Sequence, residues 1–474
     1  MGSEATNIRF FNSLTREKER FVPVEKGKVR MYTCGLTVYD FGHIGNFRAF
    51  VFEDLLRRWL EYRGFRVTQV MNLTDVDDRT IKASRKNGVP LNEYTEPYIK
   101  AFFEDVATLN IEKAEYYPKA TEHVPEMLAL ITRLMEKGYA YRGEDGSIYY
   151  GISKFKDYGK LANIKVENLK PGARVKVDEY AKEEAQDFAL WKAWSEEDGD
   201  VFWEAPFGKG RPGWHIECSA MSMKYLGETL DIHCGGVDNL FPHHENEIAQ
   251  SEAATDKKFV NYWLHCEHLL VEGRKMAKRL GNYYTVRDLT TKGYDPKAIR
   301  YLLLATHYRQ QVNFTFEGLE AAKNTLDRLT NFVHRLLDAE GKGSGEQIKL
   351  LIGRVQKGFG EAMDDDLNIS VALAALFDFV RDVNNLLDGK MLSKEEAQEV
   401  YSLMLKFDKV LGVIGEVKKE GKLSREAEEL ILQREGARKT KDWKTADEIR
   451  QRLKAMGISI EDTPQGVKWR IEKR

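Results

Sequence analysis

Lys28-Val-Arg-Met-Tyr-Thr-Cys34-Gly-Leu-Thr-Val-Tyr-Asp-Phe-Gly-His43-Ile-Gly-Asn46 is the stretch on which the fold turns. Its first seven residues are an apolar run of strand type and its middle is a Gly-bearing loop. The periodic segment from Asn46 to Arg63 then predicts a helix. Gly64 stands where a helix C-cap glycine belongs. A β-rich stretch, Phe65 to Met71, follows and ends at polar Thr74-Asp-Val-Asp-Asp78. Strand–helix–strand order of this kind predicts a parallel α/β sheet. The alternation returns at Thr229 to His233 (strand), Gly235-Gly236 (turn) and Pro242 to Ala254 (helix). Between the two, Thr121 to Ala205 is rich in Gly, Lys and aromatic residues and reads as an insertion.

Beyond Asp295 the period changes. Phe316, Leu319, Leu326, Leu329, Val333 and Leu336 recur at helical spacing, as do Ile369, Leu373, Leu376, Phe377, Val380, Val383 and Leu387. They predict a helical bundle broken at Gly341-Lys-Gly-Ser-Gly345. A charged linker, Lys418 to Ser424, precedes a segment predicted helical to Met456. A hairpin is then expected across Thr463-Pro-Gln-Gly466.

At 474 residues the chain exceeds one compact core. Its 73 Lys+Arg against 75 Asp+Glu exclude a uniformly basic nucleic-acid coat, but leave room for a basic face. A hydrophobic share of 42% belongs to a folded rather than a disordered chain. No apolar run is long enough for a membrane span, and the N-terminus lacks a basic region followed by an apolar one. A cytoplasmic protein is expected. Four cysteines are too few for a disulfide scaffold and read as metal ligands or buried thiols.

Two elements carry phosphate chemistry. A helix N-terminus at the carboxyl end of a parallel strand presents free N–H groups and a positive dipole end. Gly42 and Gly45 permit close approach there, and His43 can donate to an oxyanion. The second element is Gly273-Arg-Lys275-Met-Ala-Lys278-Arg-Leu-Gly-Asn282, with four cations in six residues between glycines. Each alone admits a bland reading, a packed histidine and a solvated basic turn. Together they fit activation of an ATP α-phosphate.

A metal set is also suggested. His243 and Glu247 are four apart and share a helix face. Should Cys34 and Cys218 converge on that face, the result is a Cys₂-His-Glu shell suited to zinc. Spacing alone equally admits buried inert cysteines. Cys234 and Cys266 compete as ligands, although an alternating strand explains them without metal.

Taken together the motifs resemble the class I aminoacyl-tRNA synthetases, and among them the cysteinyl-tRNA synthetase family. His-Ile-Gly-Asn (43–46) is similar to the family's H-I-G-H, and Lys-Met-Ala-Lys-Arg (275–279) to K-M-S-K-S. Similar signatures stand at 33–40, 211–221, 241–252, 362–368 and 461–470, so the resemblance spans nearly the whole chain. It implies a Rossmann-type catalytic domain in two halves, 1–120 and 206–262, around a connective insertion at 121–205. A stem-contact segment with the lysine loop at 263–310, a helical bundle at 311–417 and a small α+β anticodon-binding domain at 425–474 follow.

The resemblance further implies that Cys34, Cys218, His243 and Glu247 bind one Zn²⁺, which holds the substrate thiolate. His43, Gly45, Asn46, Gly235, Gly236, Lys275 and Lys278 are expected on ATP, with Mg²⁺ on the triphosphate and the nucleoside along the strand end at His233. Of these, His43, Asn46, Lys275 and Lys278 are the expected catalytic group. Thr74, Trp214 and Asp238 are expected on cysteine. The partners implied are L-cysteine, ATP and tRNA(Cys), with Arg438, Trp443, Asp447 and Asp462 at the anticodon. A monomer is expected. From Ile431 to Arg474 there are 12 Lys+Arg against 7 Asp+Glu, a local excess of positive charge that suits RNA.

Three departures from the family pattern stand out: Asn46 for a histidine, Ala277 and Arg279 for serines, and Cys234 for a glycine beside the nucleoside. Two rivals remain: a cysteine–amino-sugar ligase of mycothiol type and a non-catalytic tRNA-binding paralogue. The stretch Glu461–Arg470 argues against the first, and intact His43, Lys275 and Lys278 against the second. A zinc hydrolase lacks its histidine pair.

Overall fold

Val29, Met31 and Tyr32 are buried in β1 (Lys28–Thr33), which takes the central place its apolar run predicts. α1 (Ile44–Tyr62) returns the chain, and β2 (Arg66–Met71) pairs with β1 in parallel from Lys28–Arg66 to Thr33–Met71. After the insertion come α2 (Trp214–Leu226), β3 (Leu230–Gly236), α3 (His243–Thr255) and β4 (Val260–Cys266). They extend the sheet beyond the other edge of β1, with Ile232 between Met31 and Tyr262. The spatial order is β4-β3-β1-β2, all parallel. Connections leave β1 toward both sides, so the carboxyl ends of β1 and β3 open a cleft. In open α/β sheets that switch point is where ligands bind.

The structure is a computed structural model and describes residues 7–164, 170–175, 186–415, 424–463 and 466–471. The chain divides into two units, 1–415 and 416–474. Among the described residues no helix is long and apolar enough to cross a membrane.

Three expectations are corrected. Gly235 and Gly236 complete β3 rather than turn the chain; the turn is the short helix Val237–Leu240. Gly235 is required by packing, because a Cβ there would lie 2.8 Å from His244 Cε1. The strand β4 crosses the boundary set at 262/263, since pairing of His265 and Cys266 with Gly235 and Gly236 draws them into the sheet. The insertion reaches beyond Ala205, because Gly210–Pro212 is hydrogen-bonded to Gln186–Ala193. The hairpin Arg9–Asn12/Glu17–Arg20 and the helices Asp78–Asn87 and Leu91–Thr108 were not marked out by the sequence pattern.

The bundle is built from Phe316–Leu337, Glu346–Asp364, Ile369–Asp388 and Lys394–Leu411, with most of the predicted apolar stripe buried. It is tied to α1 through charge. Asp54 accepts from Arg58 Nε (2.7 Å) and Arg300 Nη2 (2.5 Å), and Arg300 Nε donates to the Leu411 carbonyl (2.8 Å).

The second unit packs the helices Arg425–Lys439 and Trp443–Ala455 against the hairpin Ile458–Thr463/Gly466–Ile471. Gly457, at φ +74°, turns the chain out of the second helix as expected. Of the linker read at Lys418 to Ser424 only Ser424 is described, as the helix N-cap. Met1–Thr6 and the turn residues Pro464 and Gln465 also lie outside the described residues.

Candidate active site

His43 is the N-cap of α1 and closes a reciprocal box with Asn46. The Asn46 N–H donates to His43 Nδ1 (3.1 Å), and the His43 N–H donates to Asn46 Oδ1 (3.0 Å). The box gives both donors of the helix start a side-chain acceptor, and the Asn46 N–H also reaches the His43 carbonyl (2.9 Å). Because Nδ1 accepts, the proton of the neutral ring sits on Nε2. Burial and, less strongly, nearby Lys278 push the His43 pKa down to about 4. His43 is therefore a neutral donor near pH 7 rather than the cation that a lone motif also allows.

This helix start borders a cavity of about 390 Å³ at the switch point. Cys34, His43, Gly45, Asn46, Thr74, Trp214, Cys218, Gly236, Asp238, His243 and Lys275 all line it, so one cleft unites nearly the whole predicted site. Thr74 is buried at its floor, donating to Glu217 Oε2 (3.0 Å). Trp214 lies flat on the His243 ring at a centroid distance of 4.2 Å. Asp238 stands at the rim, 3.2 Å from His268 Nδ1. Lys275 and Met276 face the cavity, whereas Lys278 pairs with Asp40.

Three expected nucleoside contacts are not placed there. Gly235 packs on His244, Cys234 is fully buried within β3, and His233 is fully buried with Nε2 on Glu247 Oε2 (3.0 Å). Each lies on a strand closed over by a helix. Cys266, read as structural, borders the cavity together with Cys34 and Cys218, whereas Cys234 does not.

The metal candidates converge. Cys34 follows β1, Cys218 lies on α2, and His243 and Glu247 share one face of α3. Their ligating atoms all lie within 4.8 Å of one another. Glu247 Oε1 is buried without a hydrogen bond, 3.1 Å from His243 Nε2. Burial raises the Cys218 thiol, but a hydrogen bond from Cys34 and the nearby His243 prevail and bring it to about 6. Burial lowers His243, but Cys218 and Glu247 prevail and bring it to about 10. Two thiols, an imidazole and an orphaned carboxylate oxygen suit a borderline-soft divalent cation, which would take the place of the protons they share.

The ring of histidines around this quartet went unassigned from sequence. His215 Nδ1 lies 3.0 Å from His243 Nδ1, leaving Nε2 of His243 facing the quartet. His244 Nε2 lies 3.3 Å from Cys34 Sγ, and its Nδ1 is 2.8 Å from His265 Nε2. Such contacts fix ring orientation around a metal. The ligating atoms of Cys34, His233, His244 and Glu247 likewise lie within 4.8 Å of one another, a set that shares two members with the first.

Residues 20–324 match the family model described as tRNA synthetases class I (C) catalytic domain. Residues 358–415 match a DALR domain, and 420–470 the Cysteinyl-tRNA ligase anticodon binding domain. The cysteine–tRNA ligase of Protochlamydia amoebophila (strain UWE25) is 53% identical over 464 residues, 97% of each chain. The chain belongs to the cysteine–tRNA ligase family. The family member from Brachyspira hyodysenteriae (strain ATCC 49526 / WA1) is 52% identical over 98% of this chain and 99% of its own. Mycobacterium tuberculosis methionyl-tRNA synthetase in complex with methionyl-adenylate shares the fold, with a TM-score of 0.62 over 82% of this chain and 92% of that one. Its identity is 15%.

Within the family the departures acquire physical reasons. Asn46 carries the short acceptor that the capping box uses. Ala277 is the N-cap of the turn Lys278–Leu280 and has no hydroxyl to cap it. Its N–H instead donates to Asn282 Oδ1 (2.9 Å), which braces the loop. Nothing in the structure explains Arg279.

In the second unit Asp462 receives Arg434 through two 2.8 Å bonds, and Arg438 at 3.1 Å. Arg434, fully buried, escaped the sequence reading. The Arg438 guanidinium lies 5.6 Å over the Trp443 ring, which is 55% exposed, and Asp447 is exposed on the same helix.

Proposed function

We propose that the chain activates L-cysteine with ATP and transfers it to the 3′-terminal adenosine of tRNA(Cys). The observation that carries this reading is that three of the metal-type donors, Cys34, Cys218 and His243, line the same cavity as His43 and Lys275, with Glu247 within 4.8 Å of them. No protein nucleophile is needed. The cysteine carboxylate attacks the α-phosphorus in line and pyrophosphate leaves. The ribose 2′-hydroxyl of the tRNA end then attacks the activated carbonyl and AMP leaves. The chain contributes position and charge.

His43 donates Nε2–H toward a phosphate oxygen, the α1 amides add their dipole, and Lys275 and Lys278 meet the triphosphate with its Mg²⁺. Trp214, held flat on His243, closes over the amino acid. Thr74 and Asp238 take its polar end. Cys34, Cys218, His243 and Glu247 would hold zinc, which when bound would supply a coordination position for the substrate thiolate and so a means of separating cysteine from serine. That contrast exceeds what a methylene-sized difference allows, so no editing site is required. Arg438, Trp443 and Asp447 face the anticodon, with Asp462 setting the Arg438 guanidinium.

Cysteine-dependent exchange between ATP and pyrophosphate, followed by charging of cysteine tRNA against an amino-sugar acceptor, tests the reading. Absence of exchange refutes it, and exchange with transfer only to the amino sugar moves the chain to the rival ligase. Cys218→Ser is expected to lower zinc content and raise the cysteine KM at least tenfold. Full zinc occupancy with unchanged kinetics would refute the ligand set.

A further inference from the structure

Lys278 does not line the cavity; its Nζ is paired with the carboxylate of Asp40, in the loop just before His43. The same ammonium sits 5.0 Å over the Tyr283 ring. Tyr283 in turn donates to the Phe41 carbonyl (3.3 Å) and meets the His43 ring edge-on at 5.3 Å. The Ile44 N–H donates to the Tyr284 carbonyl (2.9 Å), and Met276 Cε lies 3.3 Å from where a Cβ on Gly45 would be. The lysine loop is thus docked along 40–45. Among the described residues Asp40 is the one carboxylate in an ion pair with Lys278. Asp40 itself lines the cavity and its own loop is set, since its Oδ1 also accepts the Phe41 N–H (2.8 Å).

We propose that Asp40 is a positioning residue that seats Lys278 between turnovers, holding the loop against the helix start until the triphosphate takes the ammonium from it. This rests on the reading of Lys278 as a phosphate contact. The pair is suited to exchange. Lys278 is 61% and Asp40 28% exposed, so the pair shifts an equilibrium only a few-fold. A triphosphate offers several charges to the same ammonium and outcompetes one carboxylate. Asp40 then stands as a negative charge near the departing pyrophosphate. The carboxylate therefore competes with ATP for Lys278, and its removal improves apparent ATP affinity while loosening the empty loop.

Asp40→Asn keeps an acceptor for the Phe41 N–H and removes only the charge. In ATP–pyrophosphate exchange its KM for ATP is expected to fall about threefold, the size an exposed pair allows, without a rise in kcat. Without nucleotide, trypsin should cut at Lys275, Lys278 or Arg279 several-fold faster in the variant, and ATP should restore protection. An unchanged or higher KM, or unchanged cleavage of the empty loop, overturns the seat. Lys278→Ala separates this from the underlying reading. Loss of exchange by about a hundredfold supports a phosphate role whatever Asp40→Asn does, and retained exchange removes it.

Discussion

Glu53 lies in the third turn of α1, fully buried, with neither carboxylate oxygen hydrogen-bonded. Among the described residues nothing pairs with it; the thiols of Cys34, Cys234 and Cys266 lie near enough for its charge to disfavour their ionisation. Burial pushes its pKa well above the usual carboxylate range. The sign follows from linkage. The folded state holds its proton more tightly than the unfolded chain, so stability falls as pH rises above about 4.3, by up to about 1.4 kcal/mol per unit, until the folded group also ionises. Glu53→Met is expected to raise the unfolding midpoint at pH 8, with the gain shrinking steadily toward pH 5. Thermal unfolding of the full chain across that range checks it, and a gain independent of pH would remove the explanation. Sequence reading marked a helix here but no burial, because a charged residue in an amphipathic pattern reads as exposed. Glu53 and Arg434 went unremarked for this reason, and His233 was expected beside the nucleoside; each is a polar side chain that the fold buries.

At the scale of elements, what was legible is what local chemistry writes. The strand-loop-helix around His43, the i,i+4 pair on α3, the two bundle stripes and the turn at Gly457 follow from spacing and special residues. What was hidden depends on pairing across long sequence distance: β4 crosses the expected domain boundary at 262/263 because β3 accompanies it, and the insertion gains a strand from beyond Ala205. The α1 cap is an element-level device that serves two ends, helix stability and orientation of His43. Removing its acceptor with Asn46→Ala is expected to cost about 1 kcal/mol in urea unfolding and to lower the exchange rate. Asn46→Asp retains an acceptor for the His43 N–H but places a negative charge beside the phosphates. It should keep stability and lose exchange. Equal loss of stability in both variants would mean that the cap geometry is not the source.

At the scale of the molecule, chemistry and RNA reading are assigned to separate units. Every residue around the cavity lies within 1–415, and so do the charged ties that bind the bundle to α1, Asp54, Arg58 and Arg300. The basic excess and the Arg438–Trp443–Asp447 surface lie in the second unit, which has its own small core of Ala427, Leu430, Ile449, Leu453, Ile458 and Ile460. A net charge of −2 for the whole chain conceals that division, since the acidic balance of the first unit cancels the local positive sum. Removal of the second unit deletes none of the groups that activate cysteine. Truncation after Val417 is therefore expected to leave cysteine-dependent ATP–pyrophosphate exchange within about twofold of the full chain. It should lower kcat/KM for charging cysteine tRNA by at least about a hundredfold, mainly through KM, as lost phosphate and base contacts dictate. Raising the salt concentration should weaken charging by the full chain more than by the truncated one, because fewer RNA phosphates are contacted by what remains. Parallel loss of exchange and charging would show that the two units share the catalytic task, and would overturn the division.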